Sequence, residues 1–203
     1  QAGREGSELA ASRGIPIVVM EPLLGGSLAK YNYAVAKELT HLDPEATPAK
    51  WAFRFCGSHA NVMTVLSGMT FEEHIKENVE TFSPLKVCSA KEFEALERAA
   101  KAYLGFKTIP CTHCNYCMPC PYGLDIPAHF AFRNNIITMK DYPSGRKVLE
   151  EFAKAIPDPL RRAEHCTGCD RCHRHCPQSI NISKEIAKID DWIDGLIDRE
   201  ISK

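Results

Sequence analysis

The sequence predicts an α/β segment over residues 1–105 followed by a mostly helical, cysteine-rich segment over residues 106–203. Two observations carry the first half. Short apolar runs at 15–20 and 61–66 each lead into a glycine-containing loop and then into helical sequence, the order of parallel α/β units. A third observation carries the second half. Eight of the ten cysteines fall into two bursts, and the sequence between them reads as helix.

In chain order, residues 4–13 are polar around Leu9, Ala10 and Ala11 and stop at Gly14, which predicts the end of a helix. Ile15 to Met20 is a continuous apolar, β-branched run, expected as a short buried strand of a parallel sheet. Pro22 to Leu28 is a loop at that strand's carboxyl end. Pro48 to Gly57 predicts a helix with Thr47 as cap and Pro48 in the first position. Trp51, Phe53 and Phe55 are expected to pack that helix. Asn61 to Leu66 predicts a second buried strand ending in Ser67-Gly68-Met69-Thr70, with helices following at 71–82 and 90–103. Further on, 127–137 and 145–156 read as helices. Ile186, Ile189, Ile193, Leu196 and Ile197 give the last helix an apolar stripe.

The bursts are Cys111, Cys114, Cys117, Cys120 and Cys166, Cys169, Cys172, Cys176. They read C-x2-C-x2-C-x2-C-P and C-x2-C-x2-C-x3-C-P, and share C-T-x-C-x-x-C. Three thiolates of one tight loop can take three corners of an iron–sulfur cubane. A fourth cysteine followed by proline, as at Pro121 and Pro177, ligates the other cluster in two-cluster ferredoxins. The second burst has the bacterial ferredoxin spacing throughout. The first has a shortened last gap, with Met118 and Pro119 before Cys120, so one or two 4Fe-4S clusters are both open. Structural zinc prefers two separated pairs per ion, and disulfides close poorly between such near neighbours. Both remain rivals to the cluster. Cys56 and Cys88 stand alone and read as small buried hydrophobes. His173 and His175 lie inside the second burst, as cluster hydrogen-bond donors or as surface groups. Arg161, Arg162, Arg171 and Arg174 would offset cluster charge or be simply solvated.

Composition sets limits: 44% hydrophobic, 25% charged, formal net charge −1. No basic excess argues for nucleic acid, and the longest apolar stretch is far too short to span a membrane. Many reduced thiols point to the cytoplasm. With no initiating methionine or cap before Gln1, the sequence is expected to begin inside a longer protein.

GIPIVVMEPLLGGSLAK resembles the seventh strand and following loop of an aldo/keto reductase barrel. PAKWAFRFCGSHANVMTVLSGMTFEEHIKENVETF is similar to its seventh helix, eighth strand and eighth helix. CTHCNYCMPCPYGLDIP and CTGCDRCHRHCPQSINI resemble the ferredoxin-type tail of a prokaryotic branch of that family. The resemblance implies the C-terminal portion of a (β/α)8, or TIM, barrel followed by a ferredoxin-like iron–sulfur domain. It implies that NADP or NAD is held by Pro22, Leu23 and Gly25 of one loop, and by Gly68, Met69, Thr70, His74, Glu77 and Asn78 of another. His74 stands where the family usually has Arg or Gln. A loop running into a helix N-terminus is independently an anion site, but Glu77 and Asn78 also read as a solvated helix face, and Gly25-Gly26 as a turn.

The function this implies is an oxidoreductase fragment coupling a nicotinamide-dependent, aldo/keto reductase-like barrel to 4Fe-4S electron transfer. Its partners would be a small carbonyl or alcohol substrate and a redox protein. The family's catalytic tetrad would lie outside this sequence, so no catalytic residue is assigned. The rival is an electron-transfer or docking module whose barrel portion is scaffold.

Overall fold

The computed structural model describes residues 3–30 and 32–202. They divide into two compact units at Gly105/Phe106.

The first unit runs α1 (Gly3–Ser12), β1 (Ile17–Val19), a 3-10 turn at Ser27–Ala29, α2 (Tyr33–Leu39), α3 (Pro48–Gly57), β2 (Val62–Val65), α4 (Glu72–Phe82) and α5 (Ala90–Leu104). The two strands pair in parallel, Ile17 with Val62 and Val19 with Val65, with an irregularity between Ile17 and Val18. Thr47 caps α3 by accepting from Lys50 N, with Pro48 in the first turn. Ser89 and Glu92 close a capping box at the start of α5. Helix α2 has no counterpart among the expected elements. Its cap, Asn32, accepts from Ala34 N and Val35 N, but it heads only seven residues, too few for a clear period.

The strands are less covered than their apolar runs predict. Val18 is 45% exposed and Met63 67%, while Ile17, Val19, Val62 and Val65 are half-buried. The core of the unit lies instead among helices, at Leu39, Ala46, Trp51, Ala95 and Ala99. Trp51 and Phe53 are buried as expected, and Phe55 is half-buried with its ring 5.8 Å from that of Phe93. Cys88 is buried and Cys56 half-buried. Burial pushes the Cys56 thiol up to about 11, which leaves it an unreactive apolar group.

The second unit contains α6 (Ile126–Ile137), α7 (Gly145–Ala155), 3-10 turns at Pro159–Arg161, Ala163–His165 and His173–His175, and α8 (Ile182–Ile201). Each helix begins at a polar cap: Asp125 accepts from Ala128 N, Ser144 from Lys147 N, and Asn181 from Lys184 N. Ile182, Ile186, Ile189 and Ile193 repeat at helical spacing and are buried against Phe130, Phe132, Val148 and Phe152. Each contributes about 1.5–3 kcal/mol on leaving water. The stripe fades at its end, where Leu196 is half-buried and Ile197 is 40% exposed. No helix among the described residues is long and apolar enough to cross a membrane.

Candidate metal centre

The two cysteine loops have the same backbone rhythm. Two residues after the first cysteine the chain turns left-handed, at His113 (φ 55°) and Gly168 (φ 67°). It does so again two residues later, at Asn115 (φ 62°) and Asp170 (φ 55°). Left-handed positions between ordinary ones turn successive backbone N–H groups toward one concave side, a nest suited to anions. Asn, Asp, His and Gly are the residue types that tolerate this conformation. This rhythm extends the shared string C-T-x-C-x-x-C from sequence into conformation.

The eight thiols do not group by burst. One cavity is lined by Cys111, Cys114, Cys117 and, from the other loop, Cys176. The other is lined by Cys166, Cys169, Cys172 and Cys120. In each, the fourth cysteine of one burst completes the other burst's set. Apolar side chains close the rest: Phe130 and Ile180 around the first, Leu124 and Ile186 around the second, with Ile182 lining both. Among the described residues no three metal-binding side chains converge where a single ion could sit. Each quartet surrounds a space instead, which suits a group with several metal atoms better than one tetrahedral zinc.

Electrostatics points the same way. Burial raises the Cys117 thiol to about 11, with neighbouring Cys111, Cys114 and Cys172 adding to the rise. Cys111 is raised by burial and then by Cys114 and Cys176, and Cys172 by burial and then by Cys120, Cys166 and Cys169. Thiolates gathered in so dry a place repel one another, and cationic iron would relieve both penalties. Thr112 supplies a further sign of fit. Its hydroxyl is buried in the wall of the first cavity without a partner among the described residues. A sulfur-rich guest would give it one. Nothing in the cysteine spacing marked Thr112, since its counterpart Thr167 is exposed.

His173, by sequence either a cluster donor or a surface group, is exposed and turns its Nδ1–H to the carbonyl of Ile180 at 2.9 Å. His175 is exposed. Arg161 pairs with Asp125 at 2.8 Å, and Arg162 lies over the ring of Phe152, its guanidinium carbon 5.6 Å from the centroid.

Residues 110–182 match the family model of the 4Fe-4S dicluster domain. This stretch is a ferredoxin-type iron–sulfur domain. The match takes in both bursts, α6, α7 and the start of α8, and stops short of the first unit. No curated protein and no solved structure matches the chain.

A separate cavity of about 610 Å³ lies within the first unit, at the carboxyl ends of β1 and β2. Pro22, Leu23, Gly25, Gly68, Thr70, His74, Glu77 and Asn78 all line it. Met69 does not, and is 46% exposed. Several of these residues hold one another. Thr70 N donates to His74 Nδ1 at 3.4 Å, Asn78 Nδ2 to the Ser67 hydroxyl at 3.1 Å, and the Thr47 hydroxyl to Glu77. The volume is within the range of small-molecule sites. The start of α4, expected to favour a phosphate, carries Glu72 and Glu73 in its first turn. These carboxylates already complement the helix dipole and oppose a second anion there.

Proposed function

We propose that the second unit exchanges electrons through two 4Fe-4S clusters. Cys111, Cys114, Cys117 and Cys176 would hold one, and Cys120, Cys166, Cys169 and Cys172 the other. The observation that carries this reading is the crossed grouping of the eight thiols around two cavities. Bound clusters take up and release electrons singly. The chain's own groups provide the rest. Thiolates ligate, the left-handed turns aim N–H groups inward, and Thr112 offers a hydroxyl to the first cavity. Leu124, Phe130, Ile182 and Ile186 keep water out. Iron and acid-labile sulfide assays on anaerobically purified protein test this. About eight iron per chain is expected, and zinc without sulfide overturns it.

For residues 1–105 the proposal is the C-terminal part of an aldo/keto reductase-like barrel whose cavity holds the nucleotide of NADP or NAD. Support comes from the sequence resemblance, from two parallel strands joined through helices, and from the meeting of eight expected residues in one cavity. Electrons would then pass between a nicotinamide and the clusters, two clusters matching the two electrons of a hydride. The first-turn carboxylates of α4 favour the rival, in which this unit is a scaffold for electron transfer. Titration with NADPH and NADH, followed by nucleotide fluorescence, separates them. No binding by the full-length protein leaves the scaffold.

A further inference from the structure

We propose that the loop Cys166–Cys176 is the docking surface for an acidic electron-carrier protein, and that electrons enter or leave through the cavity lined by Cys120, Cys166, Cys169 and Cys172. The inference rests on the electron-transfer reading above and adds the entry point and the partner's chemistry.

The two cysteine loops differ in exposure and charge. Cys169 is the only exposed one of the eight grouped cysteines. Electron transfer between proteins weakens steeply with distance, so the redox centre nearest the surface sets the docking point. The loop Cys111–Cys120 contains no Asp, Glu, Lys or Arg. The loop Cys166–Cys176 contains Arg171 and Arg174, both exposed and without a partner among the described residues. Its one acid, Asp170, is occupied by the hydroxyl of Ser183. The other nearby arginines are already engaged, Arg161 with Asp125 and Arg162 over Phe152. Two uncommitted cations therefore stand beside the most exposed cysteine, in a chain whose formal charge is −1.

Apolar surface adjoins this charge. Tyr122, which lines the same cavity, is 45% exposed, and Leu160 is 70% exposed. The carbonyl of Leu160 lies 3.3 Å from where a side chain on Gly123 would begin, so the two segments are neighbours. An apolar centre with a polar, charged rim is the usual make-up of a transient protein interface. Cationic groups at such a rim mainly raise the association rate with a partner of opposite sign.

The test uses cluster-loaded protein and a strongly acidic plant-type ferredoxin as probe, with binding measured by calorimetry and association rate by stopped flow. Expected is saturable binding at low salt that weakens at least tenfold near 0.5 M salt, since screening shortens the reach of exposed charges. R171E/R174E should weaken binding about tenfold, mainly through slower association, while iron and sulfide content stay unchanged. Unaltered binding by the double variant overturns the proposal, as does no binding at low salt. Tighter binding to anionic lipid vesicles than to the ferredoxin also overturns it. Absence of iron and sulfide in the unmutated protein would instead remove the electron-transfer reading, so the two failures are distinct. Should R171E/R174E lose its clusters, R171Q/R174Q carries the same comparison without reversing charge.

Discussion

Arg54 Nη2 lies 2.9 Å from Glu92 Oε1, and the arginine side chain is only 2% exposed. The guanidinium also donates through Nε to the carbonyl of Lys86 and lies over Trp51, 4.8 Å from the ring centroid. Glu92 in turn closes the capping box with Ser89. This pair joins α3, the segment before α5, and the first turn of α5. Burial alone would raise the Glu92 carboxyl, but hydrogen bonds from Ser89 and Arg54 hold it below its ordinary value of 4.5. A depressed carboxylate stabilises above its unfolded value and loses that contribution as pH falls. Glu92→Gln should therefore cost about 2 kcal/mol at pH 7, roughly thirtyfold in hydrogen exchange for α3 and α5 amides. The cost should shrink below pH 4.5. An equal cost at both pH values would show that the pair's charge is irrelevant.

The crossed thiol grouping predicts a crossed defect. Cys176→Ala should impair the cluster of Cys111, Cys114 and Cys117 and spare the one beside it in sequence. About four iron per chain should remain in a spectroscopically single cluster. Cys120→Ala should do the reverse. Electron paramagnetic resonance of the reduced variants identifies the survivor, and loss of the sequence-local cluster would show that ligation is not exchanged.

Gly168 and His113 hold equivalent left-handed positions, so they test the nest. At Gly168 a methyl group would meet nothing within 4 Å, leaving backbone conformation as the cost of Gly168→Ala, about 1–2 kcal/mol. Faster cluster release to a chelator is expected. His113→Gly should retain its cluster at least as well as the unmutated chain. Parallel release rates for both variants would refute the equivalence.

His129 is fully buried on α6. Its Nδ1 lies 2.7 Å from the carbonyl of Asp125, so that nitrogen carries the proton, and Nε2 has no partner among the described residues. Burial pushes its pKa below the ordinary 6.5, against the pull of Asp125. Such a histidine must gain a proton on unfolding in mild acid, so stability is full above 6.5 and falls as pH drops below it. Thermal denaturation of cluster-loaded protein at pH 7.5 and about pH 5.5 should show this loss, and His129→Phe should reduce it. An unchanged acid dependence in the variant would assign the loss elsewhere.

The nucleotide proposal makes a sharper prediction than binding alone. His74 lines the cavity and accepts only a 3.4 Å contact from Thr70. Replacing it by arginine should strengthen NADPH over NADH roughly tenfold, because a guanidinium pairs with the extra phosphate. Equal gains for both nucleotides would place the phosphate elsewhere.

Legibility in the sequence followed the strength of local rules. The helices with good caps, α3 from Thr47 and α5 from Ser89, lie within a residue or so of where the sequence puts them. The spacing of the cysteines, with proline after each fourth one, carried the partner exchange that the cavities display. Burial was less legible. Val18 and Met63 look like core by residue type, but how far a strand is covered depends on what packs over it, which residue type does not encode. Thr112 was invisible for a related reason. Its motif partner Thr167 follows a cysteine in the same way and also lines a cavity, and only the fold decides that Thr112 is buried while Thr167 is exposed.

Because the first quartet needs Cys176 and the second needs Cys172, neither is complete until the second cysteine loop has been synthesised. A growing chain on the ribosome would hold three thiols of the first set and wait for the fourth. Complete loading of either set would thus wait for that loop to emerge. With the proposed clusters bound, the two loops would act as a clasp on both ends of residues 121–165, and α6 and α7 would be tethered like a bight in a knotted rope. Insertions in the connection between α6 and α7, at 139–143, should cost little, because its length adds little to the cost of closing the loop. Insertions inside either helix would instead displace the buried Phe130, Phe132, Val148 and Phe152. A cut within it should leave both halves still fastened together.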